Sequence, residues 1–196
     1  MKTKLRTHFE ALVPLTDDEF NFVHSHFSSQ TAKRSTYLIK EGEPVKYVYF
    51  VISGLLKLIY TNESGEESIV SFAMEDWWES DYMAFYSGSK AHLSLQCLED
   101  SVLYRISLED YQNLCDKSQK MLRFFLQKAQ RGHIGSQQRI ISFLTLSAKD
   151  RYEHLIDRYP ALLQRVPKTQ LASYLGVSRE TLSRLYSSKS YLDRTT

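Results

Sequence analysis

The sequence predicts an α+β fold, with a small β-roll in its first half, one long helix and a compact helical unit at the C-terminal end. Three observations predict this order. Short apolar segments rich in β-branched and aromatic residues fill the first half of the 196 residues, a helical apolar period begins at Leu108, and a pair of short helical segments follows Pro167. The predicted domains are therefore 1–116, 117–145 and 146–196.

A capping-box pattern marks an early helix. Thr16 is the expected N-cap and Glu19 its capping-box partner. Leu15 is placed to pack on Phe20, and the helix is predicted to extend to about Phe27. The segments then predicted as strands are 36–40, 47–53, 55–61, 68–73, 93–98 and 102–106. Turn signals that contain Gly separate them at the spacing of an all-β sandwich or barrel.

A long helical pattern from about residue 118 to 145 is the candidate dimer element. Its middle carries small residues, among them Gly132 and Gly135. They either let a second helix approach closely or interrupt the helix, because each interior Gly costs about 1 kcal/mol. The helix either packs on its own domain or forms a dimer seam, and we favour the seam. The residues predicted to form it are Leu122, Phe125, Ala129, Gly132 and Ser136.

The segment 166–185 has the pattern of a helix-turn-helix. Ala172 is small where two crossing helices must touch, and Gly176 stands four residues later, where the turn needs a residue that tolerates positive φ. Ser178 is the expected N-cap of the second helix. The residues predicted to face inward are Leu171, Leu175, Val177, Leu182 and Leu185. The alternative is a helical hairpin used only for packing.

The front of the second helix is the predicted DNA-reading surface. Arg179, Glu180 and Arg184 point away from the inward leucines. In a major groove an Arg can bond guanine O6 and N7, and a Glu can accept from cytosine N4. Phosphate contacts position a protein without specifying sequence. The side chains predicted to make them are Lys168, Thr169, Ser173, Ser178, Ser183 and Lys189.

The net charge of +2 conceals an asymmetry along the chain. From Arg151 onward eight Lys or Arg stand against four acids, a net charge of +4, while the remainder carries −2. A basic end on a slightly acidic body favours a polyanionic partner, because phosphate neutralisation dominates nucleic-acid affinity. Double-stranded DNA is the predicted partner.

Composition and spacing disfavour several other classes. Cys97, Cys115 and six scattered histidines form no metal-ligand spacing, so we expect reduced thiols and no metal. No apolar run approaches the about 20 residues that span a bilayer, and the N-terminus lacks a signal-peptide pattern, which predicts a cytoplasmic protein without membrane contact. Ser87 and Lys90 match the Ser-x-x-Lys motif of some acyl-transferring serine enzymes, but the partner motifs of those enzymes are missing. No catalytic residue is therefore predicted.

The chain resembles a known family at residues 178–181 (Ser-Arg-Glu-Thr) followed by Arg184. This is similar to the recognition-helix signature of the cyclic-AMP receptor protein and FNR (CRP/FNR) superfamily of bacterial transcription regulators. The resemblance covers nearly the whole chain and implies a cyclic-nucleotide-binding-like jelly roll (a double-stranded β-helix), a dimerisation helix and a winged helix-turn-helix. The stretch 151–167 is similar to a branch common in Bacteroidetes-type bacteria. The resemblance implies a homodimer on a near-palindromic operator, with RNA polymerase as a further partner.

One stretch, 76–93, departs from this family. Its nucleotide-binding members carry Gly-Glu for the ribose and, roughly ten residues on, an Arg followed by Ser or Thr for the cyclic phosphate, whereas this stretch contains no Arg. Lys90 and His92 lack the bidentate fork that suits a phosphate, and Glu79 and Asp81 repel an anion. Cyclic AMP is therefore not the expected effector, and no cofactor is predicted.

The aromatic residues of this stretch allow two interpretations. They line a pocket for another, flatter or more apolar effector, or they fill the space as core. The residues of this candidate pocket are Trp77, Trp78, Glu79, Tyr82, Phe85, Tyr86 and His92. The rival function is a sensor module whose C-terminal helices bind protein rather than DNA. Steeply salt-dependent DNA binding would distinguish the regulator from that module.

Overall fold

A computed structural model describes the backbone of residues 1–192 and the side chains of residues 1–185. Two helices, α1 (Lys2–Glu10) and α2 (Asp17–Ser25), open the chain. The roll that follows consists of β1 (Ser28–Ala32), β2 (Tyr37–Ile39), β3 (Tyr47–Ser53), β4 (Leu56–Thr61), β5 (Glu67–Ala73), β6 (Trp78–Glu79), α3 (Tyr82–Ser87), β7 (Ser94–Cys97) and β8 (Ser101–Ser107). The remaining helices are α4 (Leu108–Lys117), α5 (Gln119–Thr145), α6 (Ala148–Arg158), α7 (Pro160–Arg165), α8 (Lys168–Leu175) and α9 (Arg179–Leu192).

The strands form two antiparallel four-stranded sheets, in the orders β1-β8-β3-β6 and β2-β7-β4-β5. The inner faces of the two sheets meet in a core that includes Val51 and Leu103 from one sheet and Leu56 and Leu95 from the other. Gly54 makes the tight β3–β4 turn at φ +109°, where a Cβ would overlap Ser101. This jelly-roll confirms the predicted fold class.

Helices cover both outer faces of the roll. The N-terminal helices, α4 and the start of α5 pack on the β1-β8-β3-β6 sheet, with Phe9, Phe50 and Phe124 fully buried between them. The opposite sheet packs through Ile59 and Phe72 on the helices of the C-terminal unit. Full burial of one such side chain contributes about 1.5–3 kcal/mol. The roll and the C-terminal helices therefore share an apolar contact surface.

Local signals correctly predicted several boundaries. Thr16 caps α2: its side chain accepts from the Glu19 N–H, and the Glu19 carboxylate accepts from the Thr16 N–H, as the capping-box pattern predicts. The six predicted strands are present with ends within one residue of the prediction. The structure adds α1, α3, β1 and β6, which the sequence analysis missed. Strand β1 is polar and largely exposed, and it is held by backbone pairing with β8, so its side chains carry no apolar signal.

Helix α5 is continuous through Gly132 and Gly135. Neither glycine has a positive φ, and a Cβ at either position would meet nothing within 4 Å in this chain. The helix is therefore not interrupted, and both glycines leave its surface open to close approach. The predicted boundary between residues 116 and 117 falls within the last turn of α4, and the boundary after residue 145 falls at the end of α5.

The C-terminal unit is helical throughout its described length. Ser147 caps α6 in a capping box with Asp150. Pro160 stands in the first turn of α7, a helix that the sequence pattern did not predict. Helix α9 continues to Leu192, the last residue whose backbone the structure describes. A wing after α9, as predicted, lies outside the described residues. No described helix combines the length and the apolar character needed to cross a bilayer.

Candidate nucleic-acid interface and sensor cleft

Helices α8 and α9 form the predicted helix-turn-helix. Gly176 ends α8 in the left-handed conformation at φ +65°, and the Val177 N–H donates to the Ala172 carbonyl over 3.0 Å, which closes the turn. A Cβ at Gly176 would lie 2.8 Å from Cε1 of Phe143 on α5, so a larger residue there would have to displace the Phe143 ring as well as adopt a strained positive φ. The predicted inward residues are buried or packed against this core: Leu171, Leu175, Val177, Leu182 and Leu185. Ala172 is buried at the crossing, as predicted.

The start of α9 presents the predicted base-reading residues to solvent. Ser178 accepts the Thr181 N–H at its Oγ over 3.1 Å, which confirms the predicted N-cap. Arg179, Glu180 and Arg184 are all exposed in this chain. Hydrogen bonds from the Glu180 backbone and from Ser178, together with the nearby Arg179, lower the pKa of Glu180, so its carboxylate is ionised at neutral pH.

The predicted phosphate-contacting residues fall into two groups. Lys168, Thr169, Ser178 and Ser183 are exposed around the helix-turn-helix. Ser173 instead faces the roll, because its Oγ accepts the Ile69 N–H over 3.0 Å. The side chain of Lys189 lies outside the described residues.

A cleft of about 1570 Å³ opens between the roll, α5 and the C-terminal helices. Six of the seven residues predicted for an effector pocket line it: Trp77, Trp78, Glu79, Tyr82, Tyr86 and His92. Phe85 does not; it is 1% exposed and belongs to the core under the β1-β8-β3-β6 sheet. Its prediction as a pocket residue is wrong, because the short helix α3 turns Phe85 inward while it leaves Tyr86 outside.

Glu79 is a buried acid on the wall of this cleft. Its Oε2 lies 2.6 Å from the Ser71 hydroxyl, and its Oε1 accepts the Ser80 N–H over 3.1 Å. Burial raises the pKa of Glu79 to about 7, although these two hydrogen bonds act in the opposite direction. Glu79 is therefore partly protonated near neutral pH.

Asp81 is a second acid in the segment 76–93, which departs from the family pattern. It is buried, and its carboxylate accepts N–H groups from Ala84 over 3.1 Å, from His92 over 2.8 Å and from Leu93 over 3.1 Å. Converging backbone N–H groups form an anion-binding arrangement. Here that arrangement already holds a carboxylate of the chain itself.

The cations of the cleft are absent from the predicted pocket because they lie outside the segment 76–93. They lie on the opposite wall and belong to α5 and α6: Lys128, Arg131, Arg139, Arg151 and Arg158. Lys and Arg recur along α5 and α6 in the sequence, but only the tertiary structure shows that these side chains lie across the cleft from the segment 76–93. Arg139 also lies 3.7 Å from the ring centre of Tyr174 and joins α5 to α8.

The predicted dimer residues recur at helical spacing along one side of α5, but they differ in burial. Leu122, Ala129, Gly132 and Ser136 are exposed, whereas Phe125 is 8% exposed and packs on Tyr111, with ring centres 4.7 Å apart. The placement of Phe125 at a dimer seam is therefore corrected: it belongs to the sensor core. Large apolar side chains exposed elsewhere on α5 are Leu126, Ile134, Ile140, Ile141, Phe143 and Leu144. With Leu122 they leave a large apolar area of the helix exposed in one chain.

Comparisons with known proteins agree with this architecture. The cyclic nucleotide-binding domain family matches residues 29–118. The fumarate and nitrate reduction regulatory protein of Salmonella typhi is 30% identical over 164 residues, 76% of this chain and 63% of that protein. FixK2 from Bradyrhizobium japonicum has a similar structure, with a TM-score of 0.74, 16% identity, and coverage of 85% of this chain and 86% of that one.

A transcriptional regulator of the CRP/FNR family from Eubacterium rectale is also similar in structure, with a TM-score of 0.66, 15% identity, and coverage of 87% and 82% of the two chains. The jelly roll, the long helix and the helix-turn-helix thus give this chain the fold of these regulators. The proteins that the chain is similar to thus include fumarate and nitrate reduction regulatory proteins and a regulator of the CRP/FNR family. It spans about three fifths of the length of the curated relatives that it matches. The Bacteroidetes-type branch stays a prediction.

Proposed function

We propose that this protein is a sequence-specific DNA-binding transcription regulator that acts as a homodimer on a near-palindromic operator. One observation carries the proposal. Ser178 caps α9 and Leu182 is buried beneath it, so Arg179, Glu180 and Arg184 stand outward on the front of a recognition helix. That is the position from which a helix-turn-helix reads base edges in the major groove.

The dimer is supported by the surface of α5. Leu122, Leu126, Ile140 and Leu144 recur at helical spacing and are 50–79% exposed in one chain, which is unusual for large apolar residues on a 27-residue helix. A second copy of the helix would cover this stripe, and Gly132 leaves room for close approach. Two-fold symmetry of the dimer would then match a two-fold operator.

We propose that cyclic AMP is not the effector and that no cofactor is required. The N–H groups of Ala84, His92 and Leu93, which are suited to an anion, are engaged by Asp81. Glu79 adds a second carboxyl to the same wall. A cyclic phosphate would have to displace the carboxylate of Asp81 and approach the carboxyl group of Glu79, at an electrostatic cost.

The remaining partners follow from this role. A regulator of this kind acts on chromosomal DNA, so we infer that the protein works in the cytoplasm. We also infer that it contacts RNA polymerase while bound at a promoter. Neither inference requires a membrane.

Selection of bound sequences from a random DNA pool tests the function. The purified protein is used at near-physiological salt with no added effector. An enriched inverted repeat with half-sites about one helical turn apart would establish both base reading and the dimer. If nothing is enriched, and heparin or random DNA is also not bound in a salt-dependent way, the helix-turn-helix is a protein-binding module instead.

A further inference from the structure

One arginine of the C-terminal unit joins the ends of two helices. The last carbonyl groups of an α-helix have no partner within the helix. Arg151 of α6 donates from Nη1 to the Leu146 carbonyl, at the end of α5, over 2.8 Å, and from Nε to the Leu175 carbonyl, at the end of α8, over 3.1 Å. Its positive charge lies at the negative ends of both helix dipoles. One guanidinium therefore connects the candidate dimer helix to the first helix of the helix-turn-helix.

The same connection contains an aromatic ring. Phe143 of α5 faces the turn of the helix-turn-helix, because its Cε1 lies 2.8 Å from the position that a Cβ would take at Gly176. Arg151 and Arg139 lie 5.0 and 4.9 Å from the centre of this ring. Arg139 also donates to the Tyr174 carbonyl over 2.9 Å, so the last two carbonyls of α8 are both bound by arginines. Phe143, Arg139 and Arg151 are called the α5–α8 joint below.

The α5–α8 joint fixes an orientation as well as a distance. A guanidinium is planar and holds its N–H groups in a rigid fork, whereas a lysine ammonium is a compact charge on a flexible stem. The two hydrogen bonds of Arg151 leave from different nitrogens and reach different helices. Helix α9 shares the apolar cluster of Leu171 and Leu182 with α8. The orientation of both helices is thus tied to the axis of α5.

We propose that Arg151 is a positioning residue that sets which spacing of operator half-sites the dimer accepts. This inference rests on the proposed function and adds the source of its spacing specificity. In a two-fold dimer joined along α5, the distance and the rotation between the two recognition helices depend on how each is held at the end of α5. One base pair added between the half-sites moves one of them by about 3.4 Å and turns it by about 35° around the DNA axis. A rigid α5–α8 joint resists that change, whereas a loose joint follows it.

Arg151 is the arginine to vary, because its hydrogen bonds within the described residues all go to helix ends. Two neighbouring arginines also contact the roll. Arg139 donates to a carbonyl of β5 over 3.4 Å. Arg165 donates to Glu75 and to Glu99, over 2.7 Å to each. Variants of Arg139 or Arg165 would therefore disturb the contact between the roll and the C-terminal helices as well.

The experiment compares the spacing preference of full-length variants. R151M removes the charge and both hydrogen bonds, and R151K keeps the charge but lacks the fork. The matched control K149M removes one positive charge from an exposed position on the same helix. The Kd is measured for the selected operator, for the same operator with one base pair added to or removed from its spacer, and for a duplex with a single half-site. The spacing ratio is the Kd for an altered spacer divided by the Kd for the selected operator.

We expect a spacing ratio of at least about ten for the wild type and for K149M, because a rigid dimer then engages only one half-site well. For R151M and R151K the ratio should fall to about two, while the single half-site is bound within about twofold of the wild type. A wild-type ratio in both Arg151 variants would overturn the inference and leave the proposed function intact. Absence of binding by the wild type to every duplex would overturn the proposed function itself.

R151K separates the fork of Arg151 from its charge. The ammonium still places a positive charge at the two helix ends, which favours folding there. R151K therefore also decides the question if R151M does not fold, which loss of half-site binding would reveal. A relaxed spacing ratio in R151K supports the fork as the positioning element, and a wild-type ratio would refute it. Sedimentation of each variant accompanies the binding, because a monomer also ignores spacing. Variants that relax the ratio only by losing the dimer would overturn the inference.

Discussion

The indole Nε1 of Trp78 donates a hydrogen bond to Nε2 of His8 over 2.9 Å, which joins helix α1 to strand β6 of the roll. The imidazole must accept at Nε2, so this contact favours the neutral ring. The ring is packed among Phe50 and Phe124, with ring centres 4.3 and 5.5 Å away. Burial, with a smaller contribution from Lys128, lowers the pKa of His8 to about 3.

We predict an acid-sensitive stability that depends on His8. Because the folded pKa is depressed below the ordinary value of 6.5, the unfolded chain binds the extra proton first, and stability is lost as pH falls from 6.5 towards 3. The variant H8Q keeps an acceptor for Trp78 and cannot titrate. Relative to H8Q, the wild type should lose about 1–3 kcal/mol of unfolding free energy between pH 6.5 and 4.5, measured by urea denaturation.

The exposed His133 provides the control for this measurement. The variant H133Q should show the same pH dependence as the wild type, because its side chain lies on the surface of α5. A wild-type curve parallel to that of H8Q would contradict the assignment of a neutral, buried His8.

Glu79 should give the free energy of unfolding the opposite dependence on pH. Its folded pKa is raised from 4.5 to about 7, so its contribution to stability is complete below pH 4.5 and is lost as pH rises through 7. Glutamine matches the protonated acid, since its amide can donate to Ser71 and its oxygen can accept from Ser80. The variant E79Q should gain about 2 kcal/mol over the wild type between pH 5 and pH 8.

The measurement for Glu79 is the difference in unfolding free energy between E79Q and the wild type at each pH, which cancels the contribution of His8. The surface acid Glu109 gives the control E109Q, for which the difference should stay flat. A difference that is constant for E79Q as well would mean that Glu79 is ionised throughout this range.

The exposed apolar stripe of α5, which includes Leu126, provides a test of the proposed dimer. Leu126 is 55% exposed in one chain, so L126E should fold normally yet place a charge in the seam. We expect L126E to sediment as a monomer under conditions where the wild type is a dimer. Gln127 lies on a different face of the helix, and Q127E carries the same change of charge, so it should remain dimeric. Loss of the dimer in both variants, or in neither, would argue against this seam.

Arg179 and Lys168 should differ in how they affect DNA affinity. R179A is expected to lose about 1–3 kcal/mol on the selected operator and to relax discrimination at one base pair, because a bidentate base contact is lost. K168A removes the same charge and should weaken operator and random DNA alike. Competition binding with single-base operator variants measures both effects. Equal losses by R179A on operator and random DNA would refute its base-reading role.

The features that the sequence determined by itself depend on neighbours close along the chain. The cap of α2 at Thr16, the left-handed Gly176 and the cap at Ser178 each involve atoms within about four residues, so their residue types specify them locally. The strands with alternating or continuous apolar character were predictable for the same reason, whereas polar β1 and the two-residue β6 depend on partners distant in sequence.

The tertiary structure decided which face of each element is buried, because burial depends on what lies across from it. Phe125 and Leu122 share the pattern of one apolar helix, but Tyr111 on α4 covers only Phe125. Ser173 is of a residue type that can contact phosphate, and only its position opposite the open edge of β5 directs its hydroxyl to Ile69. The helix-turn-helix was therefore determined locally, while its docking on the roll arises from edge groups and charges brought together by folding.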